Sequence, residues 1–193
     1  MQNSTQSRIG AACGIAFPVA LSVGRSSGFM LGALGLTLFV PFLAYVCSAL
    51  RRAEGDGGWL WYAAFGAGLM GMTLKLASAA PELAYHGIPQ GSQTHRALEN
   101  IAGAATLISL YPFAIFTGIV ALQTLRGAVL PRWLGAFAGL TAVALLINGS
   151  FRHAGTVPAL LLFVIWSFVA GVTLLVLEFR RHPVAGYEPA MVS

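Results

Sequence analysis

The chain has 193 residues, of which 57% are hydrophobic and 9% charged, against about 25% charged in a soluble domain. A chain of this length has too little interior to hide that much apolar surface, so the surplus has to face lipid. The formal charge of +5 does not point to nucleic acid. Lys and Arg stand singly or in pairs at the edges of apolar runs, with no basic face interleaved with aromatics.

The N-terminal run, one arginine followed by an apolar stretch, has the outline of a signal peptide. No small-x-small cleavage site follows it, and we read it as a retained first helix. A spanning helix needs about 20 mostly apolar residues. Six segments qualify or nearly so: residues 9–23, 29–50, 59–80, 98–125, 133–148 and 158–179. The first and fifth are short, and span only by taking in flanking residues or where the bilayer thins. The breaks "GRSSG", "RRAEGDGG", "GIPQGSQTH", "RGAVLPR" and "NGSFRHAGTV" are rich in turn formers, and none is long enough for a separate domain. The expected fold is therefore an all-α, polytopic membrane bundle of six transmembrane helices over residues 1–180. Residues 181–193 form a short cytoplasmic tail.

With six spans both termini share a face. That face collects Arg8, Arg51, Arg52, Arg126, Arg132, Arg180 and Arg181, while the opposite face collects Arg25, Arg96 and Arg152. Seven against three predicts both termini in the cytoplasm. Trp59, Trp61 and Trp133 then fall at the cytoplasmic boundary, where an aromatic belt belongs. Cys13 and Cys47 lie inside apolar segments without CxxC spacing, so they read as small buried hydrophobes. Gly66, Gly68 and Gly71 in the third span, and Gly135 and Gly139 in the fifth, make close-approach faces. These serve packing within one bundle or the seam of a homo-oligomer. Pro18, Pro41 and Pro112 lie inside spans and are expected to kink them.

The polar residues inside the apolar runs are the candidates for chemistry. On a continuous third helix Lys75, Ser78, Glu82 and His86 are spaced three, four and four apart, which puts them on one face. On the fourth, His95, Glu99, Ala102, Thr106 and Ser109 form a second stripe. The "GIPQGSQT" turn joins these helices as an antiparallel hairpin, so the stripes can meet toward the outer surface. Asn148, Arg152 and His153 are expected to join them from the fifth span and its loop. Lys75 lies deeper, where a lone charge costs about 2.5–3.5 kcal/mol on insertion scales. It needs a partner, with Glu82 first and Glu99 second.

Three uses fit this set. As an active site, Glu82 or Glu99 acts as proton donor, His86, His95 and His153 as acid or base, and Lys75 as electrostatic partner. Ser78, Thr106, Asn148 and Arg152 line the pocket. Open to lipid, it suits an apolar prenyl, quinone or polyketide-like molecule. As a metal site, Glu82, His86, His95, Glu99 and His153 suit iron, zinc or copper by ligand type, although the spacing matches no established helical motif. As architecture, the same groups form an ion-pair and hydrogen-bond network. No specific cofactor is indicated. A non-catalytic subunit or transporter component is the alternative, and the cytoplasmic half, almost free of buried polar residues, argues against a conduction path.

The run "LPRWLGAFAGLTAVALL" followed by "PALLLFVIWSFVAGVTLLV" resembles the C-terminal half of a broad group of uncharacterised bacterial six-span membrane proteins. The resemblance covers the last third of the chain. It implies a bacterial inner-membrane protein of six spans, and carries over no activity and no functional residue. No phosphate-binding glycine loop, nucleophile elbow, HExxH or redox CxxC occurs.

Overall fold

The computed structural model describes residues 4–27, 29–55, 58–85, 87–127, 130–150 and 157–181. It is all-α, with six helices: α1 (Ser4–Ser27), α2 (Phe29–Glu54), α3 (Leu60–Tyr85), α4 (Gln93–Leu125), α5 (Arg132–Ser150) and α6 (Val157–Arg181). Five of them, α2 to α6, are long and apolar enough to cross a membrane. The six apolar segments thus each become a helix, longer than the apolar run at its core. α4 begins at Gln93 because Ser92 caps it, its Oγ accepting from the His95 N–H at 3.2 Å. α3 runs through Pro81 to Tyr85, and α1, α2 and α4 remain continuous across Pro18, Pro41 and Pro112.

Each helix packs on its neighbour in chain order, and α6 returns to α1, so the bundle closes into a ring. Neighbours are antiparallel. Along the α4–α5 seam, Gly118 faces Ala142, Gly139 faces Ala121, and Gly149 faces Tyr111. One end of the bundle therefore carries the start of α1, the end of α6 and the facing ends of α2 with α3 and of α4 with α5. The other carries the facing ends of α1 with α2, of α3 with α4 and of α5 with α6. We call these the terminal end and the hairpin end.

The centre of the ring is filled by aromatic side chains. Phe39 of α2 is fully buried, and its ring centroid lies 5.2 Å from Phe17, 5.9 Å from Phe113, 6.0 Å from Phe116 and 5.8 Å from Phe163. Helices α1, α2, α4 and α6 thus meet at one residue. Trp166 extends the stack at 5.9 Å from Phe116. In lipid no hydrophobic force holds such rings together, so van der Waals packing and quadrupole geometry must. Each aromatic pair contributes about 0.5–1.5 kcal/mol beyond its buried area. Outward-pointing residues such as Leu34, Leu140, Val143, Leu161 and Val176 remain exposed, as a lipid-facing surface requires.

The terminal end is trimmed for an interface. Glu54 accepts from the backbone N–H groups of Leu60 at 3.2 Å and Trp61 at 3.3 Å, closing the start of α3 with a carboxylate. The Arg51 guanidinium lies 5.2 Å from the Trp61 ring centroid. Trp59 and Trp133 are exposed at the same end of the bundle.

Small residues set the helix spacing inside the bundle. A Cβ on Gly68 would lie 2.5 Å from Leu43, one on Gly71 2.9 Å from Phe113, and one on Gly135 2.7 Å from Thr124. The glycine faces expected from sequence are therefore spent largely within the ring, and of the five only Gly66 looks into open space. The closest approach lies elsewhere, between α1 and α6. A Cβ on Gly171 would sit 2.8 Å from the Gly14 carbonyl carbon and 3.1 Å from the Ala11 oxygen. Backbone cannot yield as a side-chain tip can, so Gly171→Val should separate α1 from α6. The expected cost is about 1–3 kcal/mol in denaturant titration of the detergent-purified protein. Gly66→Val should change stability by less than about 0.5 kcal/mol.

Candidate functional site

Lys75 is the chain's single lysine, and it projects from the middle of an apolar helix. Its Nζ donates to Thr106 Oγ1 of α4 at 3.0 Å and to Ser78 Oγ, one turn further along α3, at 3.3 Å. Glu82 Oε1 lies 3.9 Å away, two turns along the same face. The spacing of three, four and seven residues does this: on an α-helix, positions i, i+3 and i+7 stack on one side. Thr106 faces them because α3 and α4 pack antiparallel along an extensive seam, in which Gly71 also touches Phe113.

The hydroxyls are set for this arrangement. Ser78 Oγ donates to the Lys75 carbonyl oxygen at 2.7 Å, which turns its lone pairs toward the ammonium. Ser78 and Thr106 are buried, whereas the Lys75 side chain keeps 26% of its surface open and that of Glu82 39%. An ammonium has three donors, and hydroxyls take two. At 3.9 Å the Glu82 contact is an ion pair and too long for a hydrogen bond. The third donor therefore remains at the open part of the site.

The other candidates divide. Glu99 is exposed on α4, level with Glu82 by the Lys75–Thr106 register, and among the described residues its carboxylate is in no ion pair. Of the two acids expected as partners for Lys75, Glu82 fills the role and Glu99 does not. His95 is half-buried in the first turn of α4, and its N–H engages the Ser92 cap. Asn148 is buried in α5. The α4–α5 register sets it opposite Pro112, about 9 Å deeper than Thr106 at 1.5 Å per residue. It therefore stands below the lysine, and not at the depth of the acids as expected. His86, Arg152 and His153 lie outside the described residues. Among the described residues no three His, Cys, Asp or Glu side chains gather as a metal-ligand set. Ser109 is buried with its hydroxyl turned to its own helix, donating to the Thr106 carbonyl at 2.6 Å.

A second polar centre stands at the terminal end, where the sequence reading expected almost none. Glu178 of α6 is 6% exposed, and its Oε1 accepts from the Tyr45 hydroxyl of α2 at 2.7 Å. In "LLVLEFRR" the acid stands two positions before a pair of arginines, and nothing in the local pattern marks it as buried. What buries it is the closure of α6 onto the rest of the ring, which the chain order does not reveal.

The chain matches no protein-family model, no curated protein and no solved structure in comparisons with each.

The geometry makes Thr106 the residue that commits Lys75 to the α3–α4 seam. Thr106→Val removes the acceptor while keeping the shape, and should destabilise the protein by about 0.6–1.7 kcal/mol, with Thr106→Ser recovering most of the loss. Glu99→Gln, at an exposed acid, should stay within about 0.5 kcal/mol. Denaturant titration in detergent reads all three.

Proposed function

We propose that this chain is a multi-pass protein of a bacterial inner membrane, with six spans and both termini in the cytoplasm. We propose further that it binds an apolar molecule through an oxygen-bearing head at the Lys75 site. The charge count of seven against three and the interfacial tryptophans at the terminal end support the orientation. The resemblance of the last third of the chain supports the membrane.

Helix length supports the depth of the site. α4 has 33 residues, about 50 Å at 1.5 Å per residue, against a hydrocarbon core of about 30 Å. Counted from Leu125 at the terminal end, about 20 residues fill the core and end near Thr106. Lys75 then lies just under the outer edge of the hydrocarbon, with Glu82, Glu99 and His95 above it. A ligand entering from the lipid side meets the ammonium below and the acid above.

One observation carries the binding reading: the ammonium is buried enough to be costly and open enough to be used. At the bilayer centre a lysine costs about 2.5–3.5 kcal/mol on insertion scales, and nearer the edge of the hydrocarbon it costs less. An interhelical hydrogen bond in a membrane averages about 0.6 kcal/mol. The Thr106 contact therefore offsets only part of that cost, and a methionine would fill the seam without it. A charge kept at net expense, with a donor left over, fits a carbonyl, quinone or carboxylate oxygen of a prenyl, quinone or polyketide-like molecule. Glu82 is placed to exchange a proton with such a head, so acid–base chemistry is open to the same site.

A structural role is the second reading, favoured by the serines. Ser78 and Ser109 both bond to carbonyls of their own helices, which satisfies buried hydroxyls without a ligand, and Thr106 joins α4 to Lys75 of α3. Lys75→Met separates the two. On the binding reading the variant folds with unchanged or higher stability, and the apolar molecule detected by mass spectrometry in the purified wild-type protein is lost. On the structural reading the variant loses stability, and the co-purifying molecules are the same.

A further inference from the structure

Glu178 does nothing in the site just described, which lies at the opposite end of the bundle. A carboxyl group offers two oxygens and about four acceptor positions, yet here it receives one hydrogen bond, from Tyr45. Among the described residues no ion pair to it forms, and the Arg8 guanidinium of α1 is engaged instead on the neighbouring Phe179, 4.8 Å from its ring centroid. Ionisable groups inside membrane spans ordinarily pair with another charge or serve a ligand.

Beside this pair the surface opens. A cleft of about 260 Å³ lies between α1 and α2, lined by Gln6, Ile9, Gly10, Pro41, Ala44 and Tyr45. Its rim residues Gln6, Ile9, Pro41 and Ala44 are exposed, whereas Tyr45 at its base is buried. Gly10 lets α1 settle on α2 here: a Cβ at that position would lie 2.5 Å from the Tyr45 Cβ. Tyr45 therefore joins two environments, with one part lining the cleft and its hydroxyl on the buried acid. Gln6, two residues from the start of α1, puts an amide at the terminal end of the cleft.

An aromatic ring with a carboxylate behind it is the chemistry that recognises an organic ammonium. A cation in the cleft would meet Tyr45, whose hydroxyl is held by the buried Glu178 behind it, and Ile9, Pro41 and Ala44 would receive an apolar body. We infer that the α1–α2 cleft at the terminal end binds an organic ammonium carried on an apolar group, with Tyr45 and Glu178 recognising the charge. The site takes a cation, whereas the Lys75 site takes an oxygen head, so the two select opposite chemistry at opposite ends of one bundle.

The test is equilibrium dialysis of benzyltrimethylammonium against the full chain in a non-ionic detergent. Saturable one-to-one binding is expected. Neopentylbenzene, the neutral carbon isostere, should not compete, and tetramethylammonium, which lacks the apolar body, should compete weakly. Glu178→Gln preserves the hydrogen-bond acceptor for Tyr45 and removes the charge, and should weaken binding at least about tenfold. Ala44→Phe fills the exposed rim without touching the acid, and should abolish binding in a normally folded protein, so the test stands even where the Glu178 variant does not fold. Competition by added phosphatidylcholine would assign the natural ammonium to a lipid headgroup, and its failure to compete would assign it to a free lipophilic amine. Wild-type affinity in either variant, or equal competition by neopentylbenzene, would overturn the inference.

Discussion

A charge inside hydrocarbon must be solvated by the protein that carries it, and in this chain Lys75 imposes that requirement. At the proposed depth water is scarce, so its donors turn to oxygens on neighbouring side chains. Thr106 supplies one from across the α3–α4 seam and Ser78 another from its own helix. With those bonds made, the rotation of α3 about its axis follows: Ser78 and Glu82 turn to the same side, and Gly66 turns outward. The hairpin of α3 and α4 is thus keyed by one polar contact within an otherwise apolar surface.

The remainder of the bundle is held differently. Phe39 gathers rings from three other helices, and Gly14 and Gly171 bring α1 and α6 together backbone to backbone. These are dispersion contacts whose strength depends on close fit. They also fill the centre of the ring with aromatic carbon, which supports one-sided sites at either end over a polar path through the middle. The Lys75 group and the Glu178–Tyr45 pair are each reached from one end.

Much of this was legible in the residues. Helical class and the six segments follow from apolar runs punctuated by turn formers. The Lys75–Ser78–Glu82 face follows from spacing alone, because local periodicity survives whatever the tertiary fold does. The stripe on α4 was legible for the same reason, and gave Thr106 without revealing that it, and not an acid, would be the nearest partner across the seam. Periodicity names a face but cannot say how far along a helix that face stays buried. Glu99 and Thr106 share a stripe, yet one is exposed and the other enclosed, because α4 runs past the apolar stretch. Asn148 fell deeper than expected since its level depends on the α4–α5 register. Glu178 escaped because its burial depends on α6 closing against α1 and α2, a contact between opposite ends of the chain. The glycine faces were visible, but their partners, Leu43, Phe113 and Thr124 inside the ring, were not.

Because Lys75 is the chain's single lysine, its ammonium can be observed without assignment ambiguity. Solid-state NMR of protein labelled with ¹⁵N-lysine and ¹³C-threonine in lipid bilayers should show one side-chain nitrogen signal. We predict a short-range correlation from that nitrogen to the Thr106 side chain, lost in Thr106→Val. A nitrogen correlated with lipid acyl chains, and with no threonine, would contradict the placement on which the hairpin and its site depend.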